Sequence, residues 1–141
     1  MPTRELTCRF PASLQYLTAL RHLVHAFCVD VLGSESHEEK VYQLQLAVSE
    51  LATNIIRHAY RDHESGALEM RGVGEDGRVT LEFWDTGKAY VRTPPKLPDL
   101  ESLAEGGYGS FIIQQCVDMV TYDREDGLRN HWRLEKQFVG K

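Results

Sequence analysis

Cysteine is scarce in this chain: Cys8, Cys28 and Cys116 are odd in number and far apart in 141 residues. That excludes a disulfide framework and the clustered spacing of a zinc site, so the three read as reduced thiols packed inside the protein. No run approaches the about 18 continuous apolar residues that a membrane-spanning helix needs, and the N-terminus lacks a signal peptide's apolar stretch. The expectation is a cytoplasmic protein with no membrane association. Basic charge is not in excess either. Lys and Arg total 16 against 21 Asp and Glu, for a formal net charge of −5. Binding a phosphate backbone calls for clustered Lys and Arg, so direct contact with nucleic acid is not expected. Internal repeats and low-complexity tracts are absent. At this length the chain suits one domain over residues 1–141, with a core of its own.

What is present centres on a segment free of Gly and Pro, roughly His37 to Arg61, where Leu44, Val48, Leu51 and Ile55 recur at helical spacing. Glu50, Asn54 and His58 are four apart and share one face of that helix. Glu50 and Asn54 stand next to Leu51 and Ile55, near the buried side, where an unpaired polar group costs about 1–3 kcal/mol. The same spacing is also met by a helix whose polar face simply meets water.

Ahead of this helix, Glu5 to Phe10 carries a modest strand signal that Pro11 ends. Leu14 to Leu32 keeps helical period through Leu17, Leu20, Val24, Phe27, Cys28 and Val31, with Ser13 as N-cap and Gly33 as C-terminal cap. His22 and His25 on that helix have no evident third ligand and read as exposed residues. Past residue 66 the period changes. Ala67–Val73 and Val79–Trp84 read as strands joined by the hairpin turn Glu75-Asp76-Gly77, and the second runs into Asp85-Thr86-Gly87. Lys88 to Glu105 holds Pro94, Pro95 and Pro98, with room for a regular element only near Leu97 to Leu103. Connections this long are usually lids or functional loops. Gly106-Gly107-Tyr108-Gly109-Ser110 then opens onto an apolar helix from Phe111 to Val117. Val120–Asp123 and Leu128–Phe138 are two further strands around Arg124-Glu125-Asp126-Gly127, with His131 and Trp132 as ordinary sheet residues.

Each glycine-bearing motif is weak alone, since such clusters also make tight turns and helix caps. Their order is more specific: Glu-x-x-x-Asn on a helix, Asp-x-Gly at a strand end, a long loop, then Gly-x-Gly at a helix start. An Asn amide oxygen is a hard neutral ligand for Mg2+, whose shell is commonly completed by water and phosphate oxygens. An Asp carboxylate accepts a hydrogen bond from an adenine amino group, and a following glycine lets backbone approach the ring. Glycines at a helix start let N–H groups fold over phosphates.

Glu50-Leu-Ala-Thr-Asn54-Ile-Ile-Arg-His58-Ala59-Tyr60 resembles the N-box of the Bergerat-fold ATPases, the superfamily of gyrase, heat-shock chaperones and histidine kinases. Its His-Ala-Tyr ending, in one small domain, is similar to the anti-sigma-factor serine/threonine kinases. Asp85-Thr86-Gly87 resembles the G1 box and Gly107-Tyr108-Gly109 the G2 box, which puts the ATP lid at about 88–106.

The resemblance implies an α+β fold: a two-layer α/β sandwich with a mixed, mostly antiparallel sheet and helices on one face. It also implies Glu50 as catalytic base, Asn54 as the Mg2+ ligand and Asp85 with Gly87 as the adenine reader. Gly107 and Gly109 fall near the β- and γ-phosphates. His58 and Tyr60 complete the motif, and neither is assigned any chemistry. The implied activity is ATP- and Mg2+-dependent phosphorylation of a serine or threonine on an anti-sigma-factor antagonist of the STAS type. A sigma factor is the second partner, sequestered when the antagonist is not bound, and a homodimer through Glu5 to Leu32 is consistent with the family, although the same residues also suit the domain's own core.

The sequence departs from the family pattern at Ala89, where the G1 box usually has a second glycine. A methyl there can block a positive φ or crowd the nucleotide. Arg92, Lys88 and Lys96 in the lid read as solvated charges. A non-catalytic partner-binding module of the same fold, with weak or no ATP binding, is therefore the alternative. A sensor-kinase ATPase fragment is a weaker third reading, since such domains normally accompany a phosphoacceptor histidine domain.

Overall fold

Strand alternation and helical period organise the described residues into one sheet with one helical layer. The computed structural model describes residues 3–33, 37–59, 66–87 and 108–139, with the side chains of 58–59 and 108–110 left aside. In chain order these are β1 (Arg4–Pro11), a 3-10 turn (Leu14–Tyr16), α1 (Leu17–Leu32), α2 (Glu38–Ala59), β2 (Ala67–Glu75), β3 (Arg78–Asp85), α3 (Tyr108–Cys116), β4 (Met119–Glu125) and β5 (Arg129–Gln137). The five strands lie in the order β1-β2-β3-β5-β4. Every pairing among them is antiparallel, the limit of the expected mixed, mostly antiparallel sheet.

The two tight hairpins follow from their turn residues. Asp76 and Gly77 both take positive φ between β2 and β3, as do Asp126 and Gly127 between β4 and β5, and Asp-Gly is the pair that tolerates it. The second turn lies later than expected, because β4 continues through Arg124 and Glu125. Gly33 ends α1 in the left-handed conformation as expected. Ser13 occupies the N-cap position but makes no capping bond with its side chain, and a 3-10 turn precedes α1 in place of a helix beginning at Leu14.

One face of the sheet is covered. Along β3, Val79, Leu81, Phe83 and Asp85 point inward, and along β5 Asn130, Trp132, Leu134 and Lys136 do the same. Against them pack Leu20, Val24, Phe27 and Cys28 of α1, Leu44, Val48, Leu51 and Ile55 of α2, and Ile113 and Cys116 of α3. Burying such side chains stabilises the fold by about 1.5–3 kcal/mol each before entropy is counted. Lys136 is buried at the end of its strand, where its Nζ donates to the Cys116 carbonyl at 2.5 Å and so ties the C-terminus of α3 to the sheet. Burial lowers its pKa.

The opposite face carries charge. Arg71 reaches Glu5 and Glu82, Arg133 reaches Glu135, and His131 Nε2 sits 2.9 Å from Glu82. Trp84 stacks on His131 with ring centroids 5.0 Å apart. His131 and Trp132 are thus sheet residues on opposite faces. No described helix is long and apolar enough to cross a membrane.

Candidate functional site

The site begins where the inward row of β3 changes chemistry. After Val79, Leu81 and Phe83 the next inward position is Asp85, a carboxylate only 2% exposed. Its Oδ1 accepts two hydrogen bonds, one from the Gly87 backbone N–H at 2.9 Å and one from Asn130 Nδ2 at 2.9 Å. The first is an Asx turn, which follows from the Asp-x-Gly spacing. The second comes from across the sheet, because Asp85 and Asn130 are paired residues of β3 and β5. Oδ2 is buried and has no hydrogen-bond partner among the described residues.

Asn130 is itself held. Its Oδ1 accepts from the Tyr122 hydroxyl at 2.5 Å and from Arg124 Nη1 at 3.0 Å. The same Arg124 nitrogen donates to the Gly87 carbonyl at 3.0 Å. Arg124 pairs with Asn130 between β4 and β5, so Asp85, Asn130 and Arg124 form one lateral row across three strands. Burial pushes the Asp85 carboxyl above the usual carboxylate range, and the donors Asn130 and Gly87 and the Arg124 charge pull partly against it. A buried carboxylate oxygen without a donor costs about 1–3 kcal/mol. A ligand N–H placed against Oδ2 removes that cost.

Helix α2 supplies the second part. Glu50 and Asn54 stand one turn apart on it, half-buried beside Leu51 and Ile55, which are in the core. The helix packs against both α1 and α3, and it lies in the layer toward which Asp85 points. Glu50 is near enough to Cys116 at the end of α3 for its charge to help raise that thiol's pKa, after burial, while Lys136 lowers it.

The third part is the N-terminus of α3. The helix begins at Tyr108, earlier than expected, which places Gly109 inside its first turn. A backbone N–H there is one of the four left without an intrahelical partner. Gly107, Ala89, Tyr60 and the expected lid at about 88–106 lie outside the described residues, as does the His58 side chain. Among the described residues no three His, Cys, Asp or Glu side chains cluster as a metal site. The Asn54 amide oxygen on α2 fits a Mg2+ ion that keeps most of its shell for water and phosphate. The orphaned Asp85 Oδ2 fits an exocyclic amino group.

Sequence reasoning missed Asn130, Tyr122 and Arg124. Asn130 did leave a signal: it occupies the inward phase of β5, continuous with Trp132 and Leu134, where a polar residue needs a partner.

Comparison with known proteins agrees with this fold. A family model described as a histidine kinase-like ATPase domain matches residues 10–136. The serine-protein kinase RsbW of Oceanobacillus iheyensis is 36% identical over 98 residues, covering 64% of this chain and 62% of that protein. The serine-protein kinase RsbW of Staphylococcus epidermidis is 30% identical over 129 residues, covering 85% of this chain and 79% of that protein. The anti-sigma F factor of Clostridium botulinum is 31% identical over 109 residues, 71% of this chain and 73% of that one. The match thus spans less than two thirds of the Oceanobacillus protein's length. Among solved structures, the RsbU and RsbW domains of a Mycobacterium tuberculosis protein superpose with TM-score 0.63 at 16% identity, over 99% of this chain and 35% of that one. A blue-light activated histidine kinase from Erythrobacter litoralis gives TM-score 0.53 at 22% identity, over 92% of this chain and 62% of that one. Both share the fold.

Proposed function

Because the chain belongs to the histidine kinase-like ATPase domain family, in the branch of the RsbW serine-protein kinases and anti-sigma F factors, we propose that it is an ATP-dependent serine/threonine kinase acting on an anti-sigma-factor antagonist of the STAS type. When not bound to that antagonist it sequesters a sigma factor, in the cytoplasm. The observation that carries this reading is the buried Asp85, whose Oδ2 lacks a partner among the described residues and lies on the side of the sheet that holds α2.

In this reading Asp85 Oδ2 accepts a hydrogen bond from the adenine amino group, with Gly87 beside the ring. Asn54 holds Mg2+ through its amide oxygen. Gly107 and Gly109 offer backbone N–H groups to the phosphates, and residues at about 88–106 form the lid. Bound Mg2+–ATP supplies the phosphoryl group and neutralises charge as it transfers. Glu50, one turn from Asn54, takes the proton from the antagonist's hydroxyl. Self-association through β1 and α1 belongs to the same reading: β1 is an edge strand of the sheet, with one side unpaired by any described strand.

The test is phosphate transfer from labelled ATP to a purified antagonist, with and without Mg2+. Glu50→Gln is expected to bind ATP as the parent protein does and to lose transfer by about 100-fold or more. Transfer that survives this change refutes the assigned base. ATP binding without transfer in the parent protein supports instead the partner-binding module.

A further inference from the structure

We propose that Asn130 is a positioning residue for base recognition: held at its own Oδ1 by Tyr122 and Arg124, it grips Asp85 Oδ1 and leaves Oδ2 alone to meet the exocyclic amino group of a 6-aminopurine nucleotide. This inference rests on the nucleotide reading above and assigns a role to residues outside the recognised motifs.

The direction of the Asn130 amide is set by its neighbours. Tyr122 Oη and Arg124 Nη1 both donate to one end of it, at 2.5 and 3.0 Å. Only the amide oxygen accepts, so Nδ2 must face the other way, toward Asp85 Oδ1 at 2.9 Å and the Gly87 carbonyl at 3.4 Å. The carboxylate is rigid. Fixing Oδ1 with two donors from different elements, the Gly87 backbone and β5, therefore also sets where Oδ2 lies. Arg124 closes the circuit by donating to the Gly87 carbonyl, which holds the turn that supplies the other donor.

The row is buried, with Asp85 2% and Asn130 1% exposed, so water does not compete for these bonds. A purely structural asparagine would leave nothing unsatisfied. Here the arrangement instead ends on a buried oxygen without a donor among the described residues, as expected of a group preorganised for a ligand. Without Asn130, Asp85 keeps one donor and is free to tilt, and a single hydrogen bond to the base is sensitive to that tilt.

Calorimetric titration of the full chain with ATP and with purine riboside triphosphate, which lacks the 6-amino group, separates this role from a structural one. The parent protein is expected to prefer ATP by about tenfold or more. Asn130→Ala is expected to bind ATP about fivefold or more weakly, with affinity for the amino-free analogue unchanged within about twofold. Tyr122→Phe, which keeps the ring that packs on Trp132 at 4.7 Å, is expected to lose about two- to threefold of the preference. Equal weakening of both ligands by Asn130→Ala, or an unchanged preference, overturns the inference and leaves nucleotide binding standing. A parent protein that binds neither nucleotide, or binds both alike, overturns it together with the assignment of Asp85. If Asn130→Ala does not fold by circular dichroism, Tyr122→Phe decides: a reduced preference supports the role, and the parent preference refutes it.

Discussion

Replacing Asp85 by asparagine changes one oxygen to an NH2 group and removes a buried negative charge. The orientation of the new amide is dictated by its surroundings. Gly87 N and Asn130 Nδ2 both donate to the Oδ1 position, so the amide oxygen must stay there and the NH2 group falls where Oδ2 was. Against an adenine amino group this sets donor against donor. The charge-assisted hydrogen bond, about 1.5–3 kcal/mol, is lost, and two desolvated donors are left unpaired at about 1–3 kcal/mol. A total near 3–5 kcal/mol corresponds to about a hundred- to a few thousand-fold in ATP affinity.

The free protein is expected to respond in the opposite sense. Burial makes the ionised carboxylate the unfavourable form in the fold, so an uncharged side chain of the same shape is expected to raise the melting temperature by about 3 °C. Titration calorimetry and thermal unfolding of the same two proteins check both halves. ATP affinity within about threefold of the parent, or a lower melting temperature in the free variant, refutes the reasoning.

Two further outcomes follow from the ionisation of buried groups. Because burial raises the Asp85 pKa, its contribution to stability is fully present below the ordinary aspartate value of about 4 and is lost as pH rises through the raised folded value. The stability advantage of Asp85→Asn should grow across that window. ATP affinity, which needs the ionised acceptor, should rise with pH over the same range, and a flat difference in unfolding free energy across it contradicts the assignment. Burial also pushes the Cys28 thiol up to about 12, so in the native protein at pH 8 this residue should resist alkylation, become labelled on unfolding, and react far more slowly than the half-exposed Cys8. Mass-spectrometric mapping showing Cys28 labelled as fast as Cys8 in the native state would contradict that burial.

Much of the molecule was legible in the residue order because its signals are local. The apolar period of Leu44, Val48, Leu51 and Ile55 dictates which face of α2 is buried, whatever it packs against. The Asp-Gly turns close their hairpins from backbone preference alone, and Gly33 ends α1 for the same reason. The motif residues Glu50, Asn54, Asp85 and Gly87 could be named because each part has its own short spacing. Element edges were less legible. The passage of β4 through Glu125 is decided by its pairing with Arg129 of β5.

The support behind Asp85 was not legible at all. Asn130 lies 45 residues from it in the chain, and only the antiparallel register of β3, β5 and β4 sets Asp85, Asn130 and Arg124 side by side. The reach of Tyr122 to the same amide depends on that register too. The sequence by itself therefore determined most elements, their buried faces and the motif residues proposed for the site, since turn chemistry and hydrophobic period act within a few residues. Tertiary structure alone decided which polar groups share a buried hydrogen bond, because strand pairing joins residues whose distance along the chain carries no record of their contact.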